Sequence, residues 1–340
     1  YDYGEEYDFS KTFFEQFKSL QLRVPRVNLF AKNCENSSFT NHTDHIKNSY
    51  LSVDVADSEN IYYSRWILNS RNCFDCYRLE NCELCYQSQY SINSYSLKYC
   101  LLCYNCSHCL FCENMKNCQN CMLCYGLIGK NYHIMNKEYS PEEYTNKKNE
   151  IESQISSNGQ NIVEFFKKFS RQFVRQNLII RNTENVLWDM IDNSKLAVES
   201  FDISNAENIK YCYEATWIKD SYDVFESWFE CEQQYECYAS NRTSFSSFCT
   251  IGYDNSFNWY SDLCNNSQNC FSCIGLKKQH NCILNKNYSV HEYESLCGQI
   301  IEHMKSTREW WEFFPHELSP FCYDETVAME HFPISEQEAK

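Results

Sequence analysis

Glycine and proline are scarce, at 7 and 5 among 340 residues. A chain that turns often normally leans on both, so their scarcity argues against a loop-rich array of small disulfide-stapled modules. Long apolar runs are missing too. None reaches the ~18 residues a bilayer-spanning helix needs, so no membrane span is expected. No signal peptide is visible. The chain opens on Tyr1 rather than Met, which reads as a fragment whose export signal could lie outside it. Basic charge is also short: 30 Lys and Arg stand against 46 Asp and Glu, a net −16. Such a surface repels phosphate, so nucleic acid is not an expected partner of this region. Cysteine, by contrast, is abundant at 23, an odd number that cannot all pair within one chain. That favours a reducing, cytoplasmic setting.

The cysteines follow a period of three. Every third residue from Cys34 to Leu127 is Cys, Ser, Thr, Val, Ile, Leu or Met, and every cysteine in that span falls on this phase. Asparagine keeps to the preceding phase, at positions such as Asn33, Asn48, Asn60, Asn72, Asn81, Asn93, Asn105 and Asn117. A helix shows period 3.6 and a strand period 2, so neither fits. A narrow parallel β-solenoid does, with every third side chain pointing into a thin interior that admits only small groups. Asn beside each inward residue tolerates left-handed backbone at a corner. A nine-residue period rides on the triplet, and Tyr77, Tyr86, Tyr95 and Tyr104 follow it. Two nonapeptides give a coil of about 18 residues. Such a coil stacks Ile61, Leu79, Leu97 and Met115 in one column and the four tyrosines in an outer aromatic ladder. A 12-residue coil, matching Asn48, Asn60 and Asn72, is the runner-up.

The chain is a tandem duplication. "NLFAKNCEN" from Asn28 matches "NLIIRNTEN" from Asn177, and "GLIGKNYHIMNKEYS" from Gly126 matches "GLKKQHNCILNKNYS" from Gly275, an offset of about 149 residues. The second array runs from Ile203 to Ser227, slips by one residue, and continues from Cys231 to Leu276, with Gln234, Asn255 and Asn258 interrupting it. The fold expected is mainly β with α: tandem narrow solenoids capped by short helices. Its parts are an N-terminal helix or cap (1–27), a first solenoid (28–140), a helical connector (141–176), a second solenoid (177–289), a helix (290–308) and an extended aromatic tail (309–340). Ser10 and Ser140 are expected N-caps, with Pro141 at a first helical position. "NIVEFFKKFSRQF" from Asn161 is the expected counterpart, in the second unit, of "SKTFFEQFKSLQL" from Ser10. The tail offers Trp310, Trp311, Phe313 and Phe314 as interaction residues, to its own solenoid or to a neighbouring subunit.

Zinc is the cofactor the C-x-x-C spacing allows, since a tetrahedral site needs four thiolates or imidazoles. The strongest ligand candidates are Cys100, Cys103, Cys106, Cys109 and Cys112, followed by Cys73, Cys76, Cys82 and Cys85. The competing reading is core filler, because the same phase continues through Ser88, Ser91 and Ser94 and free Cys packs as a small hydrophobe. On it no cofactor is required, and Cys118, Cys121, Cys124, Leu79, Leu97, Met115, Cys264, Cys270 and Cys273 form structural core. Buried serines then bond backbone carbonyls. His42 and His45 are the only close histidine pair. The duplicated Asn136-Lys137-x-Tyr139-Ser140 and Asn285-Lys286-x-Tyr288-Ser289 reads as a cap junction rather than a ligand pocket. No phosphate loop, zinc-protease helix or nucleophile elbow appears.

"YDFSKTFFEQF" from Tyr7, "NCFSCIGLKKQHNCILNKNYSVHEYE" from Asn269 and "EWWEFFPHELSPFCYDETVAMEHFP" from Glu309 resemble a set of cysteine-rich repeat proteins of candidate-phyla (Patescibacteria) bacteria. The likeness covers nearly the whole chain. It implies zinc-ribbon-like C-x-x-C segments flanking this region, and it supplies no activity. Cys322 and Asp324 depart from it, standing where a Gly and an Asn are expected. The expected function is therefore a non-catalytic structural or interaction scaffold that self-associates or binds a protein partner. The alternative is a soft-metal (zinc or copper) binding or storage protein, and a β-helix enzyme ranks third because no catalytic constellation shows.

Overall fold

The computed structural model describes residues 3–175, 246–249, 252–326, 328–331 and 333–339, with short strand segments between 180 and 241. The protein is mainly β with a few helices and forms a parallel β-solenoid. It divides into two compact units, Val27–Arg175 and Tyr1–Arg26 with Gln176–Lys340.

In the first unit each coil pairs in parallel with the coil twelve residues on. Thr43 stands opposite Val55, Val55 opposite Ile67, Ile67 opposite Leu79, and Leu79 opposite Ser91. The coil is therefore twelve residues and not eighteen. Four sides of three residues close it, and six sides would enclose more space than side chains this small can fill. The proposed column dissolves accordingly: Ile61 stands opposite Cys73, Leu97 opposite Cys109, and Met115 opposite Cys103. The tyrosine ladder dissolves as well. Steps of nine place Tyr77, Tyr86, Tyr95 and Tyr104 on four different sides of a twelve-residue coil. Ring neighbours lie one coil further on, with Tyr77 against Tyr90 and Tyr86 against Tyr99 at 5.4 Å, and Tyr95 against His108 at 5.3 Å.

Corners come every third residue, and nearly all come without glycine. From Asn33 to Met135 every third residue has positive φ, most of them neither Asn nor Gly. Left-handed backbone costs an L-residue ~1–2 kcal/mol. Corner N–H groups offset this by bonding the previous coil, as Asn48 does to the Glu35 carbonyl at 3.0 Å and Asn69 to Ala56 at 3.2 Å. Asparagines at corners add side-chain bonds twelve residues apart: Asn36 to Asn48 and Asn60 to Asn72 at 2.8 Å, Asn81 to Asn93 at 3.1 Å, Asn105 to Asn117 at 3.0 Å.

The second unit keeps this register in most of its described pairs, but Ile180 stands opposite Ile191, eleven residues on, and Glu226 opposite Ala239, thirteen on. Strand Gln268–Phe271 pairs with His280–Ile283 in the same twelve-residue register. The one extra residue between Ser227 and Ser240 is the expected phase slip; Cys231 and most of the array from Ile203 to Ser227 lie outside the described residues. Both solenoids end alike. A hairpin turns at Met135-Asn136, or Leu284-Asn285, with both residues at positive φ. The Asn136 amide then bonds the Tyr125 N–H and carbonyl at 2.9 and 2.8 Å, and Asn285 does the same for Ile274 at 2.8 Å each. These side chains stand in for the next coil's backbone, so the ladder ends with its groups satisfied.

Helix α1 spans Phe13–Arg23, α2 Pro141–Ser170 and α3 Val290–Thr307. Ser140 and Ser289 cap α2 and α3, each reciprocated by a Glu three residues on (Glu143, Glu292). The cap of α1 is Thr12 with Glu15, not Ser10, which instead bonds Asp8. The helices do not simply plug solenoid ends. Tyr99, Phe111 and Leu123, corner residues of three successive coils, pack with Tyr144, Ile162, Val163 and Phe166 of α2, so α2 lies along a flank. The stretch from Asn161 does not open the second unit. It is the continuation of α2 and packs on the first.

Helix α1 takes the matching place on the second unit. Phe13, Phe17, Leu20 and Val24 pack with Phe248, Tyr260, Phe271, Ile283, Ile300 and Met304. At the offset of about 149, Phe13 corresponds to Ile162, Phe17 to Phe166, Phe248 to Tyr99, Tyr260 to Phe111 and Ile300 to Ile151. An ion pair repeats as well. Arg26 bonds Asp262 in the second unit, and Arg175 bonds Glu113 at 2.8 Å in the first. The unit that α1 leads into along the chain is thus not the unit it packs on.

Candidate functional site in the thiol-lined interior

Cys73, Cys76, Leu79, Cys82, Cys85, Leu97, Cys100, Cys103, Cys106, Cys109, Cys112, Met115, Cys118, Cys121 and Cys124 are all buried in one continuous core. Cys264, Cys270 and Cys273 are buried in the second unit with Cys282. Twenty of the cysteines lie in the described part, and each is a free thiol.

Each inward thiol of the first unit's core sits in the hydrogen-bonding slot that a serine occupies elsewhere. The inward serines Ser88, Ser91 and Ser94 donate to the carbonyls two residues back at 3.1, 3.1 and 3.0 Å. Cys100 donates to Lys98 at 3.4 Å, Cys103 to Leu101 at 3.7 Å, Cys106 to Tyr104 at 3.3 Å, Cys109 to Ser107 at 3.4 Å and Cys112 to Leu110 at 3.6 Å. Cys73, Cys76, Cys82 and Cys85 do the same toward Arg71, Phe74, Glu80 and Glu83. Several reach a second carbonyl nine residues on, as Cys100 does at Cys109 and Ser94 at Cys103.

The slot has an acceptor half, which sequence reasoning missed. An inward residue's own N–H points at the inward side chain one coil earlier. Ser88, Ser91 and Ser94 accept from the N–H groups of Cys100, Cys103 and Cys106 at 3.3, 3.3 and 3.1 Å. Two of the three amides that interrupt the second array, Asn255 and Asn258, fill the same slot. Asn255 donates to the Cys264 carbonyl at 2.6 Å and accepts from the Ser267 N–H at 3.1 Å, while Asn258 serves Ser267 and Cys270 at 3.3 and 3.0 Å. Ser, Cys and a buried Asn interchange at these inward positions because each can both donate and accept, while Ile61, Ile67, Leu79, Leu97 and Met115 fill others by apolar packing alone.

Ionisation is uneven inside this core: neighbouring thiols lower Cys73, Cys106 and Cys121 and raise others. Burial, the largest cause, pushes the Cys112 and Cys264 thiols well above the usual thiol range, and Cys273 upward. The thiols of Cys103, Cys109 and Cys118 hold Cys106 down, but bonds from Cys100 and Cys106 push Cys103 up, and Cys106 pushes Cys118 up. One thiolate can be shared by its neighbours, whereas several at once repel one another. Among the described residues, no group of three or more His, Cys, Asp or Glu is arranged to hold a metal ion. His42 and His45 occupy successive corners and have separate partners, Asp54 at 2.6 Å and Asp44 at 2.9 Å, and Asp54 also meets Arg65 at 3.2 Å.

Of the aromatic candidates, Trp310 stacks on Trp259 at 5.5 Å, Trp311 meets Phe248 at 5.4 Å, Phe313 meets Phe248 at 6.4 Å, and Phe314 meets Phe17 at 4.9 Å. The tail's aromatics thus cover their own second unit. The first unit has an exposed apolar flank instead. Phe39, Leu51 and Tyr63 are successive corners 71%, 51% and 54% exposed, on the same side of the coil as Tyr99, Phe111 and Leu123 under α2 but separated from them by the polar corners Asp75 and Gln87.

Among the described residues no helix is long and apolar enough to cross a membrane. No protein-family model and no curated protein matches the chain. Two solved structures are similar to it at low identity. One is described as an acetyltransferase from Desulfovibrio desulfuricans G20, 9% identical over 87% of this chain and 91% of that one, with a TM-score of 0.14. The other is a UDP-N-acetylglucosamine acyltransferase from Campylobacter jejuni, 8% identical over 82% and 88%, with a TM-score of 0.10.

Proposed function

We propose that this protein is a non-catalytic structural scaffold that self-associates. The observation that carries it is the flank of the first unit, where Phe39, Leu51 and Tyr63 stay exposed on the side of the coil that α2 covers further along. A row of exposed apolar side chains on the side of the coil that docks a helix elsewhere marks an interaction face. The interior supports a structural reading too, because its inward hydroxyls and thiols are hydrogen-bonded to the coil's own backbone. The test is to replace Phe39, Leu51 and Tyr63 together by Asn, which tolerates the left-handed corner. Light scattering should show a smaller species with unchanged circular dichroism. An assembly of undiminished size would remove this face from the contact.

Soft-metal binding is the second reading. It is favoured by the contiguity of Cys100 through Cys124 around Met115 in one core. Loading would require thiols to leave their carbonyl partners and those that burial holds protonated, such as Cys112, to lose their protons. Elemental analysis of protein purified under reducing conditions decides it: zinc or copper in whole-number ratio to the chain supports storage, and a metal-free folded protein rejects it.

A further inference from the structure

Helices α3 and α1 together reproduce α2 with a break in it. Helix α2 runs unbroken from Pro141 to Ser170 along the first unit. On the second unit α3 stops at Thr307, followed by Arg308 in left-handed conformation at φ 62°. At the offset of about 149, Thr307 corresponds to Asn158 and Phe13 to Ile162. The break therefore spans about one helical turn. The Glu309 carboxylate bridges it, accepting from the Phe13 and Phe14 N–H groups at 2.9 Å each. Those first-turn donors would otherwise lack partners, and a carboxylate there also suits the helix dipole.

The second unit thus completes its flank with a helix taken from the far end of the chain. Helix α1 leads covalently into the first unit through Val24-Pro25-Arg26, yet its packing partners belong to the second. Val24, held extended before Pro25, ends α1 without continuing it. Every contact that seats α1 is available equally from another copy: the Phe13, Phe17 and Leu20 face, the Glu309 cap, the Lys286–Glu6 pair at 2.6 Å and the Arg26–Asp262 pair. We infer that α1 is an exchangeable connector, and that copies of this chain join head to tail by seating α1 of one on the second unit of the next. Exchange of an identical element changes no contact, so it costs only the joining of molecules. Donor and receptor are different surfaces, so the contact is heterologous and builds rings or filaments. This deepens the self-association reading and rests on it only in requiring that copies meet.

The test uses the intact chain. Unlabelled and uniformly 15N-labelled protein are unfolded, mixed in equal amounts, refolded at high concentration and treated with a zero-length carbodiimide. Lys286 and Glu6, exposed and in contact, should form a cross-link. In the assembled fraction about half of the Lys286–Glu6 cross-linked peptides should pair one labelled with one unlabelled partner, as random exchange requires. An assembly whose cross-links are all of a single isotope would overturn the exchange and leave self-association standing. A protein that stays monomeric, with single-isotope cross-links throughout, would overturn both.

Discussion

The inward positions held by Ser, Cys or Asn face two demands at once, small volume and a group that donates and accepts. Serine meets both best in bond strength, and cysteine meets them with more apolar surface. Ser91 makes the point measurable, because its hydroxyl serves the Gln89 carbonyl at 3.1 Å and the Cys103 N–H at 3.3 Å. Ser91→Cys should change stability little, while Ser91→Ala should cost ~1–3 kcal/mol by leaving a buried N–H and carbonyl short of a partner. Urea denaturation midpoints of the two variants separate the cases; equal midpoints would mean that size alone governs the position. These demands are local, and that is why the triplet, the inward phase and the asparagine phase are legible in the sequence. The acceptor half of the slot is not, because the N–H that needs it comes from a residue twelve further on. Coil length is hidden for the same reason. Nine, twelve and eighteen are all multiples of three, and closure of four sides is a property of the whole coil.

Between elements, the paired helix arrangements supply their own controls. Asp262 is almost fully buried, at 3% side-chain exposure, and Arg26 covers it at 26%, whereas Arg175 over Glu113 is 52% exposed. Removing one partner of a buried pair strands a charge, at roughly 3–5 kcal/mol. Arg26→Ala and Arg175→Ala should both approach that loss, Arg175→Ala somewhat less, since each strands a buried carboxylate, Asp262 at 3% and Glu113 at 9% side-chain exposure, as read from thermal or urea unfolding. Adding Asp262→Asn to Arg26→Ala should recover much of the loss, since no stranded carboxylate then remains. The helix starts respond to pH. Bonds from the Ser140 backbone and side chain lower the Glu143 carboxyl below its usual value, and the Ser289 hydroxyl and N–H do so for Glu292. A depressed folded value gives stabilisation that is present above the unfolded pKa and lost as pH falls through the folded one. Helical circular dichroism should therefore decline on acidification below the usual carboxylate range. Glu143→Gln with Glu292→Gln should flatten that decline, and an unchanged acid limb would place its cause elsewhere. The caps at Ser140 and Ser289 are readable from Ser followed three residues later by Glu. The seat of α1 is not, because nothing within Ser10–Leu22 says which of two homologous flanks, far apart in sequence, it will cover.

At the scale of the whole molecule, attraction and repulsion are separable by salt. Apolar surface and an exchangeable helix favour association, yet every copy carries a net charge of −16. Like charge opposes contact over the Debye length, which shrinks from ~30 Å at about 0.01 M to ~8 Å at about 0.15 M ionic strength. Apolar contact is not weakened by that screening. Average assembly mass should therefore rise as sodium chloride increases across that range, by light scattering at fixed protein concentration. The ion pairs that hold α1, Lys286 to Glu6 at 2.6 Å and Arg23 to Glu5 at 2.7 Å, are exposed and weaken over the same range. That loosens the seat and speeds exchange without removing the Phe13, Phe17 and Leu20 contacts that make it favourable. Falling mass with rising salt would show instead that exposed ion pairs, and not the apolar face or the seated helix, hold the copies together.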